Sequence, residues 1–155
     1  MASVFTARRP FAGMFRVVVP VDANEARARA AAETVVSIPN STESVHATVV
    51  NVEERVRVKD DAIVDSEEWF NEENNPPSVD AAVAVLEGAG VDCETRREHD
   101  DPVTAIIAVA TDVGADRIVM GGRNRSPAGK VLFGSVTQSV LLHSPIPVTV
   151  TMGTD

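Results

Sequence analysis

Residues 115–150 read ADRIVMGGRNRSPAGKVLFGSVTQSVLLHSPIPVTV, and the order of strand and helix signals in this segment indicates the fold class. The run 115–120 predicts a buried strand, because its apolar residues are continuous and partly β-branched. A long loop with glycines and arginines follows, then a helix from about Ser135 to His143, and the run 145–150 predicts a last strand. A strand, a crossover helix and a second strand in this order indicate a parallel pair.

The same alternation runs through the rest of the chain. FRVVVPV (Phe15–Val21) predicts a strand buried on both faces, and DANEARARAAAETVV after it predicts a helix with Asp22 near its N-cap. The run 44–52 predicts a second strand. The acidic stretch 53–75 predicts a loop with some helix, attached to the body by Trp69 and Phe70.

The middle of the chain supplies two further helices and a third strand. A helix is expected over 78–90 after the prolines 76 and 77, and it ends at Gly88 and Gly90. The run VDCETRRE (91–98) has mixed polarity, which is typical of an edge strand. After Asp101 and Pro102, apolar residues recur at helical spacing. The whole pattern predicts an α/β fold with a doubly wound, five-stranded parallel sheet and helices on both faces.

The bulk properties fit one small domain. The chain has 155 residues, of which we expect 1–13 to be a disordered extension and 14–155 to form a single domain. Met14 is a second candidate for the translation start. The single Cys93 excludes an internal disulfide and fits a reducing compartment, and no apolar run approaches the roughly 20 residues that span a bilayer. These features predict a cytoplasmic protein.

The charge is negative overall and unevenly distributed. The formal net charge is −9, which suits either a protein of concentrated salt or an ordinary acidic protein and argues against nucleic-acid binding. Residues 117–154 contain no acidic residue but carry Arg117, Arg123, Arg125 and Lys130. Such a positive island suggests a small anionic ligand, although solvated side chains in a loop would give the same pattern.

The segment after the fourth strand has the components of an anion site. Gly121 and Gly122 allow the backbone to turn sharply and to approach a ligand. Gly134 and Ser135 open a helix, whose free N–H groups and positive dipole end attract anions. It is not a Walker-type loop, because Val131 follows Gly129 and Lys130. A purely structural loop remains the alternative.

This segment resembles the nucleotide loop of the universal stress protein family, with the pattern Gly-x2-Gly-x9-Gly-Ser/Thr. Gly121, Gly134 and Ser135 match that pattern, whereas Asn124 replaces its second glycine. RVVVPVD with Asp22, ATVVNV and the pair 101–102 are similar to other parts of the family, so that the resemblance runs from about residue 15 to 150. Asn tolerates a left-handed backbone better than other non-glycine residues, which would preserve the turn.

The resemblance implies a strand order of 3-2-1-4-5, as in adenine-nucleotide alpha-hydrolase-like folds, and a stress-response protein that binds ATP or a related adenine nucleotide. By carry-over, Val52 lies against the adenine, Asp22 near the nucleoside and Gly121 near the ribose and phosphates. Mg or Mn would be carried on the phosphates. The candidate binding residues are Asp22, Val52, Met120, Gly121, Gly122, Asn124, Arg125, Gly134, Ser135 and Val136.

The last strand is short and apolar, so it should lie at a sheet edge and form a homodimer through Val148 and Val150. Two alternatives to the nucleotide sensor stay open: a nucleotide-free dimeric interaction module, and an enzyme related to adenosine-phosphate hydrolases. The residues favour no catalytic role beyond slow ATP hydrolysis. His46, His99 and His143 show no metal spacing with Cys93.

Overall fold

The computed structural model describes residues 13–52, 56–57, 63–64, 75–122 and 133–152. Strands and helices alternate along these residues as the sequence predicts. In chain order the elements are β1 (Phe15–Val21), α1 (Glu25–Val36), α2 (Ser41–Ser44), β2 (Val45–Val52), β3 (Val56–Arg57), β4 (Ile63–Val64), α3 (Pro77–Gly88), β5 (Asp92–Glu98), α4 (Pro102–Asp112), β6 (Arg117–Gly121), α5 (Ser135–His143) and β7 (Val148–Thr151).

Five strands form one parallel sheet in the order β5-β2-β1-β6-β7. Counting only these five along the chain, the order is 3-2-1-4-5, which confirms the prediction. β5 lies at one edge, as its mixed polarity indicates. β3 and β4 form a separate antiparallel pair. They lie in the acidic stretch 53–75, where a loop with some helix is expected, and that expectation is wrong for these four strand residues. Trp69 and Phe70 lie outside the described residues.

Both faces of the sheet carry a core. Val17, Val19 and Val21 of β1 pack in one cluster with α1 and α3, and the side chain of Val18 belongs to the cluster on the opposite face with α4 and α5. Ala28, Ala31 and Ala32 of α1 are completely or almost completely buried, which lets that helix approach the strands closely. β1 is therefore buried on both faces, as expected from its unbroken apolar run.

Three of the helix ends have an identifiable local cause. The N-cap of α1 is Asn24 and not Asp22, because the Asn24 side chain accepts a hydrogen bond from the backbone N–H of Arg27 at 2.8 Å. Asp22 lies two residues before this cap, in agreement with its expected place near the N-cap. α3 and α4 end in left-handed glycines, Gly90 and Gly114, with the paired hydrogen bonds of a Schellman motif.

The remaining boundaries differ little from the expected ones. β2 begins at Val45, β6 covers Arg117–Gly121, and β7 begins at Val148, because the backbone around Pro145 and Pro147 is irregular. The expected extension over 1–13 falls outside the described residues except for Gly13, which lies in a turn. Within the part of the chain that the structure describes, no helix is long and apolar enough to cross a membrane.

Candidate functional site

The carboxyl ends of β1, β2 and β6 surround a cavity of about 270 Å³. β1 lies between β2 and β6, which is where the strand order reverses and where parallel sheets bind ligands. The lining residues come from the strand ends and from the first turns of α1, α4 and α5: Pro20, Val21, Asp22, Arg27, Ala28, Val52, Pro102, Ile106, Met120, Gly121, Val136 and Thr137. The cavity is therefore built where the fold places a ligand.

Most of this lining is apolar. Val52 closes it from β2, Ile106 from α4 and Met120 from β6, and all three side chains belong to the core cluster on the α4 and α5 face. Ile106 and Met120 are almost completely buried. Such walls suit a flat, largely apolar group, because burial of apolar surface supplies the affinity in most small-molecule sites.

A second cavity of about 110 Å³ adjoins the first at the N-terminus of α5. Its lining adds Gly134 and Ser135 to five residues that the two cavities share: Asp22, Arg27, Gly121, Val136 and Thr137. Gly134 is the N-cap, with an extended backbone (φ −65°, ψ 160°), and its carbonyl accepts the first helical hydrogen bond from Gln138 at 2.9 Å. The first amides of α5 have no helical acceptor, so this cavity suits an anion.

Two opposite charges lie where the cavities meet. Arg27 donates from Nη2 to Asp22 Oδ2 at 2.8 Å, and these two are the charged side chains among the residues that line the cavities. Asp22 Oδ1 also accepts from the backbone N–H of Asn24 at 2.8 Å. Sequence analysis missed Arg27, because an arginine in the first turn of a helix carries no local signal that it faces a cavity.

Gly121 and Gly122 face different neighbours. A Cβ at Gly121 would lie 2.9 Å from both the Cβ and the carbonyl oxygen of Arg27, so this glycine lets α1 pack against the end of β6. A Cβ at Gly122 would lie 2.6 Å from Met152 Sδ. Gly122 lines neither cavity, and its lack of a side chain serves packing against the segment after β7.

The structure brings most of the candidate residues together. Asp22, Val52, Met120, Gly121, Gly134, Ser135 and Val136 line one or both cavities. Asn124 and Arg125 lie outside the described residues, as do Arg123 and Lys130. Thr137, Pro102 and Ile106 were missed together with Arg27. The start of α4 at Pro102 was predicted, but only the packing of α4 on the sheet turns Ile106 toward the cavity.

The positive island is not all at this site. Arg117 lies at the opposite, amino end of β6, where its guanidinium carbon is 5.4 Å from the centre of the Phe15 ring. Arg117, one of the four basic residues that suggested an anionic ligand, therefore has a structural role away from the cavities.

The cysteine and histidines lie away from the cavities. Cys93 is a half-buried free thiol, and burial, with smaller effects from Glu87 and Asp92, raises its pKa above the usual range. His46 Nδ1 is 2.8 Å from Asp92 Oδ2. Among the described residues, no cluster of three or more His, Cys, Asp or Glu side chains could hold a metal ion.

Comparison with known proteins gives one consistent result. The model of the Universal stress protein family matches residues 14–151. A universal stress protein of Mycolicibacterium smegmatis is 41% identical over 66 residues, which are 42% of this chain and 51% of that protein. The chain spans about half or less of the length of the curated relatives that it matches.

The solved structures that resemble this chain have the same fold. A universal stress protein from Archaeoglobus fulgidus superimposes with a TM-score of 0.66 at 29% identity, over 88% of this chain and 97% of that one. A universal stress protein of the same organism, solved in complex with dAMP, gives a TM-score of 0.63 at 22% identity, over 89% and 98% of the two chains.

Proposed function

Since this chain belongs to the universal stress protein family, we propose that it binds ATP or a related adenine nucleotide and acts as a homodimeric sensor or regulator in a stress response. One observation carries the proposal: an apolar cavity and a smaller cavity at a helix N-terminus adjoin at the carboxyl edge of the sheet. A nucleotide has the same two parts, a flat base and an anionic tail.

The ligand's parts match the two linings. The adenine would lie in the larger cavity beside Val52 and Met120, and the nucleoside beside Asp22 and Gly121. The phosphates would accept from the first amides of α5 at Ser135 and Val136, next to Gly134. Roles for Gly122, Asn124 and Arg125 on the phosphates remain predictions from the resemblance.

The dAMP complex of the related Archaeoglobus fulgidus protein supports the choice of an adenine nucleotide. The choice of ATP within this class rests on the family resemblance, whereas the two described cavities account directly for a base and its 5′-phosphate. Arg123, Arg125 and Lys130 lie outside the described residues, and on the sequence alone they are candidates to bind a longer phosphate tail.

We propose binding without an efficient catalytic step. Mg or Mn would be held by the phosphates, since the charged lining residues are a single carboxylate and a single guanidinium, which do not form a cage for a divalent ion. Ser135 lines the small cavity. The histidine of the same helix, His143, lies two turns further along and donates from Nδ1 to the Ser139 carbonyl at 2.8 Å. At most slow hydrolysis of bound ATP is expected.

The second candidate is a nucleotide-free dimeric interaction module. It is favoured by one observation: both carboxylate oxygens of Asp22 already have protein donors, Arg27 and the Asn24 amide. In this alternative the ion pair closes the cavities and the family's loop is kept for its fold alone.

The dimer is proposed through β7, which is an edge strand of the main sheet. A second copy could pair antiparallel with it about a two-fold axis, which would satisfy the outward backbone groups. The proposed compartment is the cytoplasm, which the free thiol of Cys93 suits.

The decisive experiment combines mass spectrometry of nucleotide retained through purification with calorimetry of ATP and magnesium. We expect saturable binding in the wild type and a loss of about 1–3 kcal/mol in Ser135→Ala, the usual cost of a hydrogen bond to a charged group. Ser139→Ala, one turn further along α5 and outside both linings, is the matched control and should bind normally.

Two further variants test the phosphate end. Gly134→Val should abolish binding through its added volume, since the observed φ of −65° is open to any residue and the backbone itself would be kept. Asn124→Gly should strengthen binding if Asn only replaces the family's glycine. No heat and no retained nucleotide with wild type at millimolar ATP would leave the interaction module as the function.

A further inference from the structure

The ion pair between Arg27 and Asp22 lies at the junction of the two cavities. Its arginine side chain is mostly buried. The Arg27 side chain is 22% exposed and that of Asp22 is 60% exposed, with 2.8 Å between Nη2 and Oδ2. Both residues line both cavities. Any ligand that fills the two cavities together would therefore pass beside this pair.

Local contacts hold Arg27 in this position. Its backbone N–H donates to Asn24 Oδ1 at 2.8 Å, inside the first turn of α1. Its Cβ and carbonyl oxygen lie against Gly121, where a Cβ would come within 2.9 Å of each. The root of the side chain is thus fixed between the helix cap and the end of β6, and Asp22 fixes the guanidinium.

The ion pair sets the net charge next to a ligand at the junction of the two cavities. Asp22 alone would place a negative charge beside the N-terminus of α5 and would repel a phosphate. Arg27 offsets that charge, and its guanidinium has five N–H donors, of which the contact with Oδ2 uses one nitrogen. A planar guanidinium next to free helical amides is a favourable partner for a phosphate oxygen.

We propose that Arg27 is the specificity-determining residue that makes this site prefer phosphorylated nucleosides over unphosphorylated ones. The inference rests on the proposed function, since it concerns how the same site selects among adenine compounds. Base and sugar would bind mainly through the apolar walls, which Arg27 does not form. The 5′-phosphate would gain a hydrogen bond from Arg27. Removing the guanidinium should therefore lower the affinity for AMP more than the affinity for adenosine.

The test is calorimetry of adenosine and AMP with wild type, Arg27→Gln, Arg27→Lys and Arg29→Gln. We expect the AMP-to-adenosine affinity ratio to fall about tenfold or more in Arg27→Gln, while adenosine binding stays within about twofold, because a hydrogen bond to a charged group is lost only for AMP. Arg27→Lys, which keeps the charge without the planar fork, should recover part of the ratio.

Arg29→Gln is the matched control. Arg29 lies in the same helix, carries the same charge, pairs with Glu25 at 3.1 Å and lines neither of the two cavities. Its variant should keep the wild-type ratio. Equal losses in Arg27→Gln and Arg29→Gln would mean a general effect of net charge and would overturn the proposal.

The outcomes separate this inference from the proposed function. Wild type that binds neither AMP nor adenosine contradicts the proposed function and the role of Arg27 with it. Wild type that prefers AMP, together with an unchanged ratio in Arg27→Gln, contradicts only the role of Arg27. If Arg27→Gln strongly lowers the thermal midpoint, the AMP-to-adenosine affinity ratio of Arg27→Lys tests the proposal instead. A purely structural role of Arg27 would leave that ratio unchanged.

Discussion

At the scale of single residues, either packing or ligand binding could explain why residue 121 is a glycine. The glycine of a nucleotide loop is expected to let the backbone approach a phosphate. Here its missing side chain also leaves room for Arg27, whose Cβ and carbonyl oxygen would each lie 2.9 Å from an added Cβ. The Arg27 carbonyl is part of the helix backbone, so moving it away from an added Cβ would cost folding free energy. Gly121 is thus required by the fold even without a ligand.

We therefore predict that Gly121→Ala lowers the free energy of unfolding by about 1–3 kcal/mol, the usual cost of overpacking. Urea denaturation measures it. Gly88→Ala is the control: its Cβ would meet nothing within 4 Å, in the last turn of α3, so the change should be neutral or stabilising by up to about 1 kcal/mol. Equal effects at both positions would contradict the packing argument.

At the scale of elements, β7 has two sides with different partners. The carbonyls of Pro147 and Thr151 accept from Ile118 and Gly122, so alternate residues of the strand direct their backbone groups toward β6. By the same alternation, Thr149 faces β6, and Val148 and Val150 direct their N–H and C=O groups to the open edge of the sheet. These are the two residues through which the sequence predicts a dimer.

We predict that wild type is a dimer at micromolar concentration and that Val150→Pro is a folded monomer, because proline removes an outward donor that only a second copy would use. Light scattering measures the mass. Thr149→Pro is the control, since it removes a donor inside the sheet and should instead destabilise the monomer in urea. A wild-type monomer in salt close to native conditions, or a dimeric Val150→Pro protein, would contradict the proposed interface.

At the scale of the whole molecule, the net charge of −9 sets the behaviour in salt. Self-repulsion among the acidic residues opposes the folded state, and dissolved ions screen it. The Debye length falls from about 30 Å at 0.01 M salt to about 8 Å at 0.15 M. Most of the screening in an ordinary acidic protein is therefore complete at modest salt concentrations.

We predict that raising sodium chloride from about 0.01 to 0.15 M near pH 7 stabilises the fold by on the order of 1 kcal/mol. The same titration near the calculated isoelectric point, about pH 4.8, is the internal control and should show little effect. Thermal unfolding gives both numbers. A plateau above 0.15 M indicates an ordinary acidic protein, whereas a rise that continues into molar salt indicates adaptation to concentrated salt. Destabilisation by salt near pH 7 would contradict the argument.

Apolar periodicity predicted the strands and helices of the main sheet, and the family resemblance supplied the strand order and the expected place of the site at the strand ends. Apolar runs such as Phe15–Val21 and the glycine caps of α3 and α4 are local signals, and local hydrogen bonding and burial are sufficient to realise them. Asp22 was expected near the N-cap of α1, and the hydrogen bond from the Arg27 amide to the Asn24 side chain identifies Asn24 as the cap residue itself.

The tertiary structure decided which side chains meet. Arg27 and Gly121 are 94 positions apart in the sequence, and they touch because α1 crosses over the end of β6. The same crossing brings Asp22, Arg27 and the N-terminus of α5 around one pair of cavities. Arg117 carries the same charge as Arg27, but it lies at the other end of its strand and stacks on Phe15. Charge is readable from the sequence, whereas the distance between charges is set by long-range packing.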